Sequence, residues 1–161
     1  AEVRNSFAPP HERTGERREP IVDYLRSCTQ ERSRLLVMTF APELLFYTGR
    51  GFAAGHESLI PGFYGSQRQM ALMLDRLDRE DVPFVIMDNR TNQEMAASFP
   101  PVYAYVASHY REVARFPIAG ETSFIVLADE NRSVVRAFGD ERLPCFAAAN
   151  APGELGGRNG N

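Results

Sequence analysis

The sequence contains no lysine and no tryptophan, and all eighteen of its basic residues are arginine. Without lysine there can be no G-x-x-x-x-G-K-[ST] phosphate loop, so P-loop chemistry is excluded. The uniform choice of arginine reads as the codon bias of a GC-rich genome rather than as arginine-based recognition. A net charge of −3 and a pI near 5.7 leave no whole-domain attraction to nucleic acid or anionic lipid. No basic tract is interleaved with aromatics either, so no nucleic-acid partner is expected. Long apolar runs are also missing. The longest, Leu35 to Phe46, is interrupted by Thr39, Pro42 and Glu43 and is too short to cross a bilayer as a helix.

Cysteine is scarce, with Cys28 and Cys145 the only two, and neither belongs to a C-x-x-C pair. Cys28 shares a helical face with Ile21 and Leu25 and is expected as a buried, inert thiol, a bridge to Cys145 being the alternative. His11, His56 and His109 are far apart and none has a Cys, Asp or Glu at ligand spacing, so no metal site is expected. The first residue is Ala and no signal peptide is visible, which is the expectation for a fragment or a processed product.

What remains is an ordinary globular composition. The 161 residues are 43% hydrophobic, with eleven Phe and six Tyr, enough for one domain to bury a core without metal or disulfide staples. Residues 1–18 mix Pro, Arg and Glu without apolar periodicity and read as a flexible lead-in; 19–147 read as a single α/β domain and 148–161 as a disordered tail. Pro20 opens an amphipathic helix that runs to about Glu31. Leu35 to Phe40 and Phe84 to Asp88 are unbroken apolar runs, the mark of strands covered on both faces. Pro42 to Gly49 fits a brief helix, and residues 50–65 a glycine-rich crossing with at most one short strand.

Ser66 and Gln69 form a capping box for a helix whose stripe is Met70, Met73, Leu74 and Leu77. Thr91 and Glu94 suggest a second box, for a helix interrupted at Phe99, and a further helix restarts near Pro101 with Val102, Tyr103, Val106 and Tyr110 at helical spacing. Phe124 to Ala128 and Val134 to Phe138 flank a polar turn at 129–132 and read as an antiparallel hairpin. The expected fold class is therefore α/β: a Rossmann-like three-layer domain with a mainly parallel sheet and a C-terminal antiparallel hairpin.

Gly49, Gly51 and Ala54 reproduce the spacing of a dinucleotide fingerprint, but Gly55 and Pro61 follow where a helix would have to start, and no cofactor is expected. Ser66 is better explained as a helix cap than as a nucleophile, and no catalytic residue stands out. Ligands of open α/β sheets favour the crevice beyond the carboxyl ends of the strands. That rule selects Thr39, Asp88, Asn89 and Arg90 as candidate ligand-binding residues. Arg50 and His56, in the long loop, join them as residues that could face the same crevice. For Asp88, Asn89 and Arg90 a plain polar turn entering the next helix is the alternative.

The order of a strand ending in Phe40, APELLFYTGR, a Gly/Pro-rich stretch, a helix, VPFVIMDNR, FPPVYAYVASHYREVARF and a closing FIVLADE resembles the soluble C-terminal domain of GT-C-type membrane glycosyltransferases. It is similar to the dolichyl-phosphate-mannose mannosyltransferase-like and aminoarabinose-transferase-like bacterial proteins, over roughly Ile21 to Glu130. The resemblance implies a parent protein with a transmembrane bundle as this domain's partner, transferring a sugar from a polyprenyl-phosphate donor on the extracytoplasmic, periplasmic face of the cell membrane. It implies a non-catalytic accessory domain, because the family's catalytic carboxylate lies on a loop between membrane helices that has no counterpart here. Such a domain would meet a glycolipid or acceptor head group, or stabilise the bundle. A stand-alone α/β protein that binds a small ligand or nucleotide is the alternative.

Overall fold

The computed structural model describes residues 19–148. The lead-in expected over 1–18 and all but the first residue of the tail expected over 148–161 lie outside them. Chain order is α1 (Pro20–Cys28), β1 (Arg34–Met38), α2 (Glu43–Thr48), β2 (Gly51–Phe52), α3 (Gln67–Leu77), β3 (Phe84–Asp88), α4 (Asn92–Ser98), α5 (Pro100–His109), β4 (Tyr110–Ala119), β5 (Thr122–Asp129), β6 (Arg136–Phe138) and β7 (Leu143–Cys145). Among the described residues no helix is long and apolar enough to cross a membrane.

Five strands form one mixed sheet in the order β2-β1-β3-β5-β4, and β6 and β7 pair separately as an antiparallel hairpin. β1 is parallel to β2 and β3, whereas β3–β5 and β4–β5 are antiparallel. The sheet is thus half parallel, not mainly parallel. Period-2 alternation divides the core between its two faces. Leu35, Val37, Phe84, Ile86 and Val126 pack with α1, α2 and the β6–β7 hairpin. Leu36, Met38, Val85, Met87 and Ile125 pack with α3, α4 and α5.

Local signals explain most elements. Ser66 accepts from the Gln69 amide while Gln69 reaches back to the Ser66 amide, which closes the capping box of α3. Gly49 ends α2 at φ 67°, a conformation that costs glycine nothing. α5 restarts at Pro100 because a proline without an N–H suits the first helical turn.

The departures have identifiable causes. β1 stops at Met38, so Phe40 leaves the core and stands 76% exposed. α1 stops at Cys28 because Thr29 turns to an extended φ of −126°. The helical stripe read as far as Tyr110 ends at His109; Tyr110 stays buried as the first residue of β4, its hydroxyl donating to the Val82 carbonyl at 2.9 Å. The hairpin expected from β5 into 134–138 does not form. β5 already lies between β3 and β4, so it has no free edge, and Val134 and Val135 are left exposed. Its true hairpin partner is β4, joined through Gly120 at φ 57°. Outermost in the sheet, β4 carries Arg111, Glu112 and Arg115 together with Pro117 and two register irregularities, all of which discourage pairing with a further strand. Those same polar positions hide it from a reading based on apolar runs.

The cysteines are the largest correction. Cys28 is no free thiol but is bonded to Cys145 across 117 residues, with a Cα–Cα distance of 4.4 Å. The chain therefore does carry a staple. Around it, the Phe146 amide donates to the Cys28 carbonyl, Tyr24 donates to the Pro144 carbonyl, and Arg136 donates to the Ser27 carbonyl. The first helix and the last strand are joined covalently and by hydrogen bonds.

Candidate functional site

Three separate arrangements hold the six residues picked out from the sequence. At the carboxyl ends of β1 and β3, Thr39 donates to one carboxylate oxygen of Asp88. The other oxygen accepts the backbone amides of Arg90 at 2.8 Å and Thr91 at 2.7 Å. Asp88 is 7% exposed and Thr39 4%. Burial pushes the Asp88 carboxyl up, but the bonds from Thr39 and the two amides outweigh it and hold the group below the ordinary carboxylate range. Three of its roughly four acceptor positions are occupied by the protein itself. Asp88 thereby holds the turn just before α4, where Thr91 makes no side-chain cap bond and the expected Thr91–Glu94 box is not formed.

Asn89 serves the neighbouring hairpin. Its amide nitrogen donates to the Glu121 carbonyl at 2.8 Å and its oxygen accepts the Ser123 amide at 2.9 Å, which fixes the β4–β5 turn against the end of β3. Arg90 contributes its backbone amide, while the residue itself is exposed. These contacts are those of a polar turn across the Asp88–Arg90 segment.

Arg50 does not reach that crevice. Its guanidinium donates to Thr29 Oγ1 at 2.7 Å, the Thr29 carbonyl at 3.0 Å and the Arg26 carbonyl at 2.9 Å. A planar fork thereby satisfies the open carbonyls at the end of α1. The place is a polar hollow of about 860 Å³ between α1 and α2, whose lining does not include His56.

His56 lines a second cleft, in which no side-chain hydrogen bond joins the lining residues to one another among the described residues. The cleft has a volume of about 300 Å³ and is walled by Phe40, Phe52, Ile60 and Tyr64, with His56, Glu57 and Ser58 as its polar members. It runs along the β2 edge of the sheet up to the residues that follow β1. Its loop is held firmly. The Ala53 amide donates to the Leu35 carbonyl and the Leu59 amide to the Val37 carbonyl, both at 2.9 Å, while Glu80 accepts the Ala54 amide at 2.8 Å. Leu59, wholly buried, anchors the loop in the core.

Strain is concentrated here. Ala54 at φ 56° and Tyr64 at φ 60° adopt the left-handed conformation that costs a non-glycine residue about 1–2 kcal/mol. Gly55 lies between them in sequence, at φ 80°, with the Arg76 guanidinium laid over it so closely that a Cβ would collide. The His56 ring lies against Tyr64 with centroids 4.2 Å apart. Burial and the Arg76 charge hold the imidazole below its ordinary range, so it is neutral at neutral pH and offers one donor and one acceptor. Ser58, 7% exposed, has a buried hydroxyl without a hydrogen-bond partner among the described residues, an arrangement that costs about 1–3 kcal/mol.

Phe40, Phe52, Ser58 and Tyr64 were not picked out from the sequence. The available signal was the density of aromatics in a glycine-rich loop, where Phe52, Phe63 and Tyr64 all remain exposed. The fingerprint spacing does not build its usual structure: Gly49 caps α2, Gly51 begins β2 and Ala54 lies in a turn, with no helix starting before Gln67. Among the described residues no group of three His, Cys, Asp or Glu side chains could hold a metal ion. No protein-family model matches the chain, and no curated protein or solved structure matches it.

Proposed function

We propose that this chain is a non-catalytic, extracytoplasmic domain of a membrane glycosyltransferase that uses a polyprenyl-phosphate sugar donor, and that it contacts an acceptor or glycolipid head group. The observation that carries the extracytoplasmic part of the reading is the Cys28–Cys145 bond. Disulfides persist in oxidising compartments and are rare in the reducing cytosol, so the bond supports a periplasmic location. The three parallel strands β2, β1 and β3, with helices on both faces, support the Rossmann-like kinship suggested by the order of sequence motifs. The cleft supports a binding role: its groups are aromatic walls, a neutral imidazole and an exposed carboxylate, and its loop is tied to the sheet by backbone hydrogen bonds.

Two measurements test the proposal. A reporter enzyme that works only outside the cytoplasm, fused after Asn161 in the complete gene product, is expected to be active. A silent fusion, with a cytoplasmic reporter active at the same point, overturns the location. The complete membrane protein is expected to transfer sugar from a polyprenyl-phosphate donor while the isolated 161-residue chain shows no turnover. Turnover by the isolated chain overturns the non-catalytic role. A stand-alone small-ligand-binding protein is the competing reading, supported by the same cleft, and the sugar-transfer assay on the complete gene product separates the two.

A further inference from the structure

We propose that the cleft beside β2 is a carbohydrate site that takes a single neutral pyranose ring, stacked by its C–H face on Phe40, Phe52 or Tyr64 and hydrogen-bonded through its hydroxyls to His56 and Glu57. The inference rests on the binding role proposed above and names its ligand class. Size comes first. About 300 Å³ is at the small end of ligand sites, room for one ring rather than for a dinucleotide or a polyprenyl chain.

The chemistry of the walls narrows the class. Aromatic faces carry negative charge density and attract the weakly positive C–H groups that a pyranose presents on one side. Phe40 is 76% exposed, Phe52 38% and Tyr64 39%, an unusual outlay of aromatic surface around one hollow. Hydroxyls at the rim of such a ring need both donors and acceptors. Neutral His56 supplies one of each, and the Glu57 carboxylate accepts.

Charge disfavours the phosphate end of a sugar donor, with the Arg76 guanidinium lying only at the margin of the cleft, over Gly55. No arginine lines the cleft, and an exposed carboxylate, Glu57, does. The cleft therefore suits the sugar of an acceptor or head group, not its phosphate. Strain at Ala54 and Tyr64 and the unpartnered Ser58 hydroxyl lie on the same loop, where local stability has been given up.

The test is a titration of the isotopically labelled 161-residue chain, followed by NMR, with methyl glucoside, methyl galactoside and methyl mannoside in turn and with inorganic phosphate as the charged comparison. At least one glycoside is expected to give saturable shifts confined to Phe40, Phe52, His56, Glu57 and Tyr64, and phosphate none. Phe40→Ala, at a side chain exposed enough to leave folding intact, is expected to weaken that binding about fivefold or more. Leu72→Ala, at an exposed apolar residue outside the cleft, is expected to leave it unchanged. Absence of saturable shifts with all three glycosides, shifts centred elsewhere, or saturation of the cleft by phosphate overturns the proposal. A domain that is exported and shows no turnover yet ignores every glycoside loses only its ligand class, which keeps this failure distinct from failure of the functional reading.

Discussion

Asp88 shows how a polar residue at the end of a strand can hold the turn that follows it. Its position was readable from the sequence, because the run FVIMD ends there and a helix follows. What could not be read was the direction of its two oxygens, since Thr39 lies 49 residues earlier and meets it only through the β1–β3 pairing. Asp88→Ala is expected to lower the unfolding free energy by about 3 kcal/mol, measured by urea denaturation with an unchanged m value, because three hydrogen bonds to a buried carboxylate are lost. The pH dependence has a definite sign. The folded group titrates below the ordinary carboxyl value, so its stabilisation is complete above about pH 4 and disappears as pH falls through the depressed folded value. Asp81 behaves alike: burial raises it, and bonds from Ser33 and Arg132 lower it further than burial raises it. Asp88→Asn is expected to flatten the acid limb of stability against pH without erasing it, and an unaltered limb would refute the assignment.

Elements with purely local signals were the ones legible in advance. The α3 box, the αL glycine after α2 and the apolar run of β3 each carry their information within a few residues. β4 does not, because an edge strand needs only one covered face and can keep Arg111, Glu112 and Arg115 in solvent. The cleft was partly legible, through His56 and the glycine-rich loop, but not through Phe40, whose exposure depends on where β1 stops. The loop also offers a test of strain. Gly49 and Gly55 both have positive φ, yet a Cβ meets nothing at Gly49 and the Arg76 side chain at Gly55. Gly49→Ala is expected to cost about 1 kcal/mol from backbone conformation alone. Gly55→Ala is expected to cost more, and the excess should vanish when Arg76→Ala is combined with it. Thermal unfolding of the four variants in a double-mutant cycle measures that coupling; no coupling would mean that Arg76 simply swings aside.

At the scale of the molecule, the bond between Cys28 and Cys145 closes a loop of 117 residues, which removes much of the freedom of the unfolded chain. Reduction, or replacement of both cysteines by alanine, is expected to lower stability by about 2–5 kcal/mol. Calorimetry with and without reductant measures it, and equal melting temperatures would show that hydrogen bonding around Tyr24 and Arg136 suffices alone. Neither cysteine announces the pairing in sequence, because the distance between them is set by the whole sheet. The bond has a mechanical consequence too. A pull applied to the chain before residue 28 and after residue 145 passes through the two sulfurs, not through the sheet. About 400 Å of backbone contour stays locked behind that bond, and the cleft feels no load while the chain on either side is stretched.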